Sequence, residues 1–250
     1  MRGGLTGFLW TLKRELYAYF FSSMAYIFLT IFLVLLNILT FGDELGNLYG
    51  RGTTDLQLPF FIWHPWLFML FMPAIGMRMW AEERRQGTWE LLATMPVPTQ
   101  SLVLGKYAAG AVFIAITLGL TTPVWITVTW LGEPDHAQIL CGYVGSFLMA
   151  LTFLAIASFF SALTSRQILA FIMAFMVSFL IVLAGFPPIV NLLRSSLPEI
   201  VVQNLSRLGV YSHVKNFQRG IVDIRDILYF LLLNAYFLIS TRYILDEGRS

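Results

Sequence analysis

The sequence predicts an all-α membrane protein: six transmembrane helices, an N-terminal interfacial elbow helix, a charged cytoplasmic segment between spans 2 and 3, and short external helices between spans 5 and 6. Three observations lead there. The 250 residues are 58% hydrophobic and only 12% charged, against roughly 25% charged residues in soluble domains. Six stretches approach the roughly 20 apolar residues that a helix rising 1.5 Å per residue needs to cross about 30 Å of hydrocarbon. Lys and Arg cluster in alternate loops, which sets an orientation.

In chain order, residues 1–22 form the elbow. Leu5, Phe8, Leu9, Leu12, Leu16 and Tyr19 recur at helical spacing opposite Lys13 and Arg14, the pattern of a helix lying in the inner interface. The first long apolar run starts only after Glu15 and no small-x-small cleavage pattern follows, so an uncleaved first span is expected. The spans are Met24 to Phe41, Leu58 to Met77, Tyr107 to Leu131, Ile139 to Leu163, Ile168 to Phe186 and Ile224 to Tyr243. The last has only fifteen uncharged residues between Asp226 and Arg242, so it must snorkel Arg242 or sit in thinned bilayer.

Cytoplasmic termini put Arg2, Lys13, Arg14, Arg78, Arg84, Arg85, Lys106, Arg166, Arg242 and Arg249 inside. The short outer loops hold only Arg51 among basic residues, beside Asp43, Glu44, Asp55, Glu133 and Asp135. The connection 187–223 is basic, an exception to the rule. Pro187-Pro188 should stop the fifth span. "SLPE" at 196–199 reads as a capping box with Ser196 at the N-cap and Glu199 at N3, ahead of a short helix closed by Gly209. A second helix is expected from Ser212 to Gly220, and Asp223 should cap the last span with Asp226 in its first turn. One domain, 1–250, contains all of this.

Composition also removes function classes. A net charge of +2 with scattered basic residues does not describe a nucleic-acid surface. The single Cys141 supports neither an intramolecular disulfide nor a thiolate metal site, and no metal-ligand spacing is present. Deep in the spans the polar residues are Asn37, Ser146, Thr152, Ser158, Ser178 and Asn234, with His64 near an outer end. No mid-membrane carboxylate is present to couple to protons or sodium, and isolated Asn and Ser most simply join helices. The phosphate-loop pattern G-x-x-x-x-G-K-[ST] is absent; "QSLVLGKY" at 100–107 has only its Gly-Lys. Energy for any transport must come from another polypeptide.

One segment stands apart: "RMWAEERRQGTWELLATMPVPTQSLVLGK" at 78–106, a charged island between apolar runs. Met77 to Gln86 favours helix, with Arg78–Glu82 and Glu82–Arg85 at pairing distance. Gly87 interrupts, Thr88 is placed to cap a second short helix with Glu90 in its first turn, Pro96 and Pro98 end it, and Thr99 caps the next span. A solvated loop does not need Trp89, Leu91, Leu92 and Met95 grouped on a polar platform, so residues 78–98 read as a rigid, partner-facing lever. Pro73, Gly76 and Pro123 are candidate hinges in the adjoining spans.

"AEERRQGTWELLATMPVPTQSLVLGKYAAG" resembles the segment after the second span of ABC-2-type export permeases. "LKRELYAYFFSSMAYIFLTIFLVL" and "SHVKNFQRGIVDIRDILYF" are similar to the gliding-motility-type branch of that family. The resemblance covers nearly the whole chain in order. It implies a permease in a bacterial inner membrane, paired with an identical or related permease chain. It also implies two copies of a separate cytoplasmic ATPase that carries the ATP and Mg, so no cofactor is expected on this chain. It further implies that the cytoplasmic segment between spans 2 and 3 is a coupling helix that docks on the ATPase, which makes Glu82, Glu83, Gly87, Thr88, Glu90, Leu91 and Leu92 the candidate ATPase contact, with Arg84 and Trp89 beside them. Two other readings remain: a non-transporting membrane scaffold for an ATPase, and a membrane-embedded enzyme using the outer His64, His136 and His213. An accessory subunit is compatible with the resemblance. Seven Trp, ten Tyr and twenty-two Phe suit an apolar cargo but equally suit helix packing and interface anchoring, so the substrate is not identified.

Overall fold

The computed structural model describes residues 2–43, 46–51, 54–90, 97–195 and 198–247. Among them every regular element is helical. In order these are α1 (Arg2–Phe20), α2 (Ser23–Phe41), α3 (Leu48–Arg51), a 3-10 turn (Phe61–Trp63), α4 (His64–Gly76), α5 (Arg78–Arg85), α6 (Thr99–Gly119) and α7 (Thr122–Leu131). They continue with α8 (His136–Leu163), α9 (Gln167–Gly185), α10 (Pro187–Arg194), α11 (Glu199–Leu208), α12 (Val210–Gln218) and α13 (Ile224–Glu247).

The long helix α8 is the axis of the molecule, with α4, α5, α6, α9, α12 and α13 packed around it. Its sequence explains that position. Asp135 caps it, accepting from the Ala137 and Gln138 amides at 2.9 and 3.1 Å, and its small residues admit close neighbours. An added Cβ on Gly76 of α4 would stand 2.4 Å from the Ala157 Cβ of α8. Polar residues within the spans join helices, as expected. Asn234 of α13 accepts from the Tyr107 hydroxyl of α6 at 2.7 Å and donates to Thr152 of α8 at 3.0 Å.

Among the described residues, five helical segments are long and apolar enough to cross a membrane: Ser23–Phe41, Thr99–Leu131, His136–Leu163, Gln167–Gly185 and Ile224–Glu247. Their outward stripes remain apolar, as with Ile27, Ile31, Val34 and Ile38 on α2 and Leu228, Leu231, Leu232 and Ile239 on α13. Exposed apolar faces of that extent belong in lipid. The stretch 58–77 forms a shorter helix of 13 residues, His64–Gly76, preceded by the 3-10 turn. It packs on α8, α9 and α2 and passes through a turn at Met77 directly into α5.

Several boundaries differ from expectation. The third span starts at Thr99 instead of Tyr107 and is broken at Leu120–Thr121, with Pro123 in the first turn after the break. Pro98, not Thr99, holds the N-cap position of α6, and the Thr99 hydroxyl donates to Asp246 at 2.5 Å. Likewise Pro198 is the N-cap residue of α11, so Glu199 is its first residue and not N3; Ser196 and Leu197 lie outside the described residues. Pro187 does follow the end of α9, yet it opens α10, as its fixed φ and missing N–H allow at a first turn. The second helix of this connection is Val210–Gln218, where Ser212 to Gly220 was expected. Asp223 accepts from the Arg225 amide at 2.9 Å, and Asp226 stands in the first turn of α13. That last helix runs past Arg242, which pairs with Asp246 at 3.3 Å.

Candidate functional site

The charged island is anchored from beneath by two serines of α8. A helix begins with amides that lack intrahelical acceptors. In α5 the Trp80 and Ala81 amides both donate to Ser161 Oγ at 3.0 Å, while Ser161 donates to the Met77 carbonyl at 2.8 Å. Trp80 is fully buried, and its indole Nε1 donates to Ser158 at 3.0 Å. Burial of such a ring contributes on the order of 2 kcal/mol or more. The helix ends where the sequence predicted. Gly87 has φ +70, a left-handed conformation natural to glycine after a helix. Residues 88–90 are helical again, and Trp89 packs edge-on against Trp80 with centroids 5.8 Å apart.

A second anchor is ionic. Lys106 of α6 keeps only 4% of its side chain exposed, and its Nζ meets Glu83 at 2.9 Å and Glu15 at 3.1 Å. It also donates to the Met79 carbonyl at 2.8 Å and lies 5.0 Å from the Trp80 ring centroid. Arg14 closes the cluster, reaching Glu15 at 2.6 Å and Glu83 at 2.9 Å. Two cations therefore face two carboxylates, and elbow, island and third span meet at one neutral node. Burial acts to raise the Glu15 pKa, but Lys106 and Arg14 outweigh it and hold that carboxyl below its ordinary value. The elbow is seated by steric fit as well, since a Cβ on Gly105 would come within 2.7 Å of Thr11.

The candidate contact residues divide between this interior and the surface. Glu83 and Trp89 face inward. Thr88 is half-buried and its hydroxyl donates to the Glu83 carbonyl at 3.3 Å. Glu82 pairs with Arg85 at 2.7 Å and Arg78 at 3.9 Å, and accepts from Gln86 and from Gln167 of α9. Arg85, Gln86, Gly87 and Glu90 are exposed. Arg84 lies between the two groups: its Nε is buried with no hydrogen-bond partner among the described residues, and desolvation lowers its pKa. A notch lined by Arg84, Gly87, Trp89 and Glu90 opens there. Leu91 and Leu92 lie outside the described residues.

Among the candidate hinges, Pro73 lies inside α4 and Pro123 opens α7. Gly76 serves the tight approach to Ala157. The three histidines are separately engaged: His64 with Ser146 at 3.3 Å, His136 with Trp125 at 3.0 Å, and His213 with Asp226 at 2.5 Å. No cluster among the described residues has the His, Cys, Asp or Glu groups to hold a metal.

Sequence reasoning missed Arg14, Glu15, Lys106, Ser158 and Ser161 as parts of this assembly. One signal was available: Lys106 is a lone cation entering an apolar run, and Glu15 is the lone acid of the elbow. No curated protein matches the chain. A family model described as ABC-2 family transporter protein matches residues 51–208, a range that includes the island and three of the five long apolar segments. With more than half of its length matched, this multi-pass membrane chain belongs to the ABC-2 family of transporter permeases.

Proposed function

We propose that the chain is the membrane half of an exporter driven by a separate cytoplasmic ATPase, and that the exposed tip of the island is where the ATPase docks. The observation that carries this reading is the contrast within one short segment. Residues 79–83 are fastened to α8, α6 and the elbow, while Arg85, Gln86, Gly87 and Glu90 project. Arg84, with its unbonded buried Nε beside the notch, has room for a carboxylate or carbonyl of a partner. In this reading Glu82, Thr88 and Trp89 support the contact surface, Glu83 transmits from it, and Leu91 and Leu92 remain candidate contacts.

When ATP binding draws two ATPase subunits together, the tip moves with them. Because α5 is held by ion pairs and capped by Ser161 instead of hanging on a flexible loop, displacement passes to α8, to α6 and to the elbow as a rigid-body motion. Pro73 and the break before Pro123 are the positions at which helices would flex, and Gly76 holds its contact with α8. The positive-inside pattern supports cytoplasmic termini, an external 187–223 and an inner-membrane location. The continuous passage from Phe61 through Arg85 supports counting residues 58–77 as a sixth span. A single bundle supplies one wall of a pathway, so two permease chains and two ATPases are expected, in keeping with the resemblance to the gliding-motility-type branch.

The test is affinity capture of the tagged chain from its native membrane, with the ATPase recognised by its phosphate-loop sequence. Arg85→Glu combined with Glu90→Lys reverses two exposed charges outside the ionic node. Partly desolvated contact charges are worth about 2 kcal/mol or more, so capture of the ATPase should fall at least about tenfold while membrane insertion persists. Undiminished capture would sink the docking reading.

A further inference from the structure

An amphipathic cavity of about 240 Å³ lies beside the ionic node, between the end of the elbow, the start of α2 and the junction of α4 and α5. Phe28, Ile75 and Phe113 give it apolar walls, and Glu15, Arg78 and Glu82 give it a charged side. Two of these charges retain free capacity. The bonds of Glu15 to Arg14 and Lys106 all end on Oε1, leaving Oε2 uncommitted among the described contacts. Arg78 approaches Glu82 most closely through Nε, at 3.9 Å, and its terminal nitrogens make no hydrogen bond among the described contacts. Around the opening Phe21 is 84% exposed and Met24 49%, apolar side chains that place this level of the molecule against lipid and not water.

We propose that this cavity is a binding site for the headgroup of a phosphatidylethanolamine-type membrane lipid, with the phosphate on the Arg78 guanidinium and the ammonium on the Glu15 carboxylate. A purely anionic headgroup would satisfy Arg78 but meet Glu15 and Glu82 as like charges. A purely cationic one would leave Arg78 without a partner. A headgroup carrying both charges a few bonds apart satisfies both, and a primary ammonium can donate hydrogen bonds where a quaternary one cannot. The apolar walls then take the glycerol and the first methylenes. The consequence is a lipid wedged between elbow and island, where it braces the same two elements that Lys106 joins. The proposal rests on the elbow lying at the membrane surface and not on ATPase docking, so it can fail while capture of the ATPase stands.

Native mass spectrometry of the delipidated full chain, titrated with phosphatidylethanolamine, phosphatidylcholine and phosphatidylglycerol of identical acyl chains, tests it. A several-fold preference for the ethanolamine lipid is expected, with phosphatidylglycerol weakest. Arg78→Gln, which removes the partner of the phosphate common to all three, should weaken the binding of each several-fold. Ala18→Leu, which fills the cavity from its lining without altering charge, should abolish the preference, with the thermal unfolding of each variant confirming a folded chain. Equal binding of the three lipids, binding unchanged by Arg78→Gln, or a preference that survives Ala18→Leu, overturns the site. Competition by soluble glycerophosphoethanolamine as strong as that by the lipid assigns the cavity to a soluble ligand and overturns the membrane-lipid reading.

Discussion

At the end that carries the island, Lys106 gathers Glu15, Glu83 and the Met79 carbonyl. At the opposite end of α8, His213 sits between the Asp226 carboxylate at 2.5 Å and the Arg207 carbonyl at 2.8 Å, stacked 4.0 Å from Tyr229, with Asn216 donating to Asp226. Both clusters satisfy polar groups in a protein that is otherwise apolar, yet they connect very different lengths of chain. The bond from Arg14 to Glu83 spans 69 positions, whereas His213 reaches Asp226 across 13 and Arg207 across 6. The outer cluster folds one connection onto itself. The inner one ties together three elements far apart in the chain, which is what the proposed transmission of a force requires.

The largest expected effect comes from breaking the inner node at its centre. Lys106→Met keeps the apolar stem but leaves Glu15 and Glu83 side by side with Arg14 alone. Removing one partner of a buried ionic cluster typically costs about 3–5 kcal/mol. The unfolding temperature of the solubilised protein should drop markedly, and transport should suffer more than ATPase capture because the docking tip itself is untouched. Lys106→Arg should recover part of the loss. A melting temperature equal to that of the wild type would mean that the node is ornamental and that the contrast between the two ends is false.

A smaller effect, confined to one end, is expected from Asp226→Asn. The substitution nearly preserves shape but removes the charge that holds His213 and Asn216, at about 1–3 kcal/mol for hydrogen bonds to a charged group. Hydrogen exchange should quicken in residues 199–230 while residues 78–90 and 99–106 keep their protection. If exchange at the island quickened equally, the ends would be coupled and the outer cluster would be more than a local fastening.

How much of this could be read beforehand follows the same distinction between near and far. The apolar runs, the break at Gly87 and the pairing of Glu82 with Arg78 and Arg85 depend on residues within a few positions, and the sequence displayed them. Helix starts were missed at Thr99 and Glu199, where Pro98 and Pro198 occupy the N-cap position; the search for hydroxyl caps overlooked that Pro can end the preceding extended chain. Residues 58–77 read as one apolar stretch, and composition alone does not show that part of it precedes the helix. Glu83 and Trp89 read as outward because charged runs are normally solvated. Their inward orientation depends on Lys106, Arg14 and Trp80, and no local spacing reveals a cation contributed from another helix. Ser158 and Ser161 were visible only as small polar residues in a span, not as the acceptors that hold the Trp80 indole and cap a helix about 80 positions away.

The smallest effect concerns acidity and bears on whether the inner node is a fixed fastening. Glu15 and Glu82 are both held below the ordinary carboxylate value of 4.5; in each, burial opposes the shift and is outweighed, by Lys106 and Arg14 for Glu15 and chiefly by Arg85 for Glu82. A carboxylate with a depressed folded-state pKa stabilises the fold fully above its unfolded value, and that contribution disappears as pH falls through the depressed one. From pH 8 to about 5.5 these groups should therefore contribute no change in stability. Below about 4.5 the wild type should lose stability more steeply than Glu15→Gln, which carries no proton-linked charge at that position, so the gap between the two should narrow. Thermal unfolding midpoints of both proteins across this range provide the measurement. A gap that instead changed between pH 8 and 6 would mean that Glu15 is not held as a carboxylate by Lys106 and Arg14, and the inner cluster would lose its character as a permanently charged fastening.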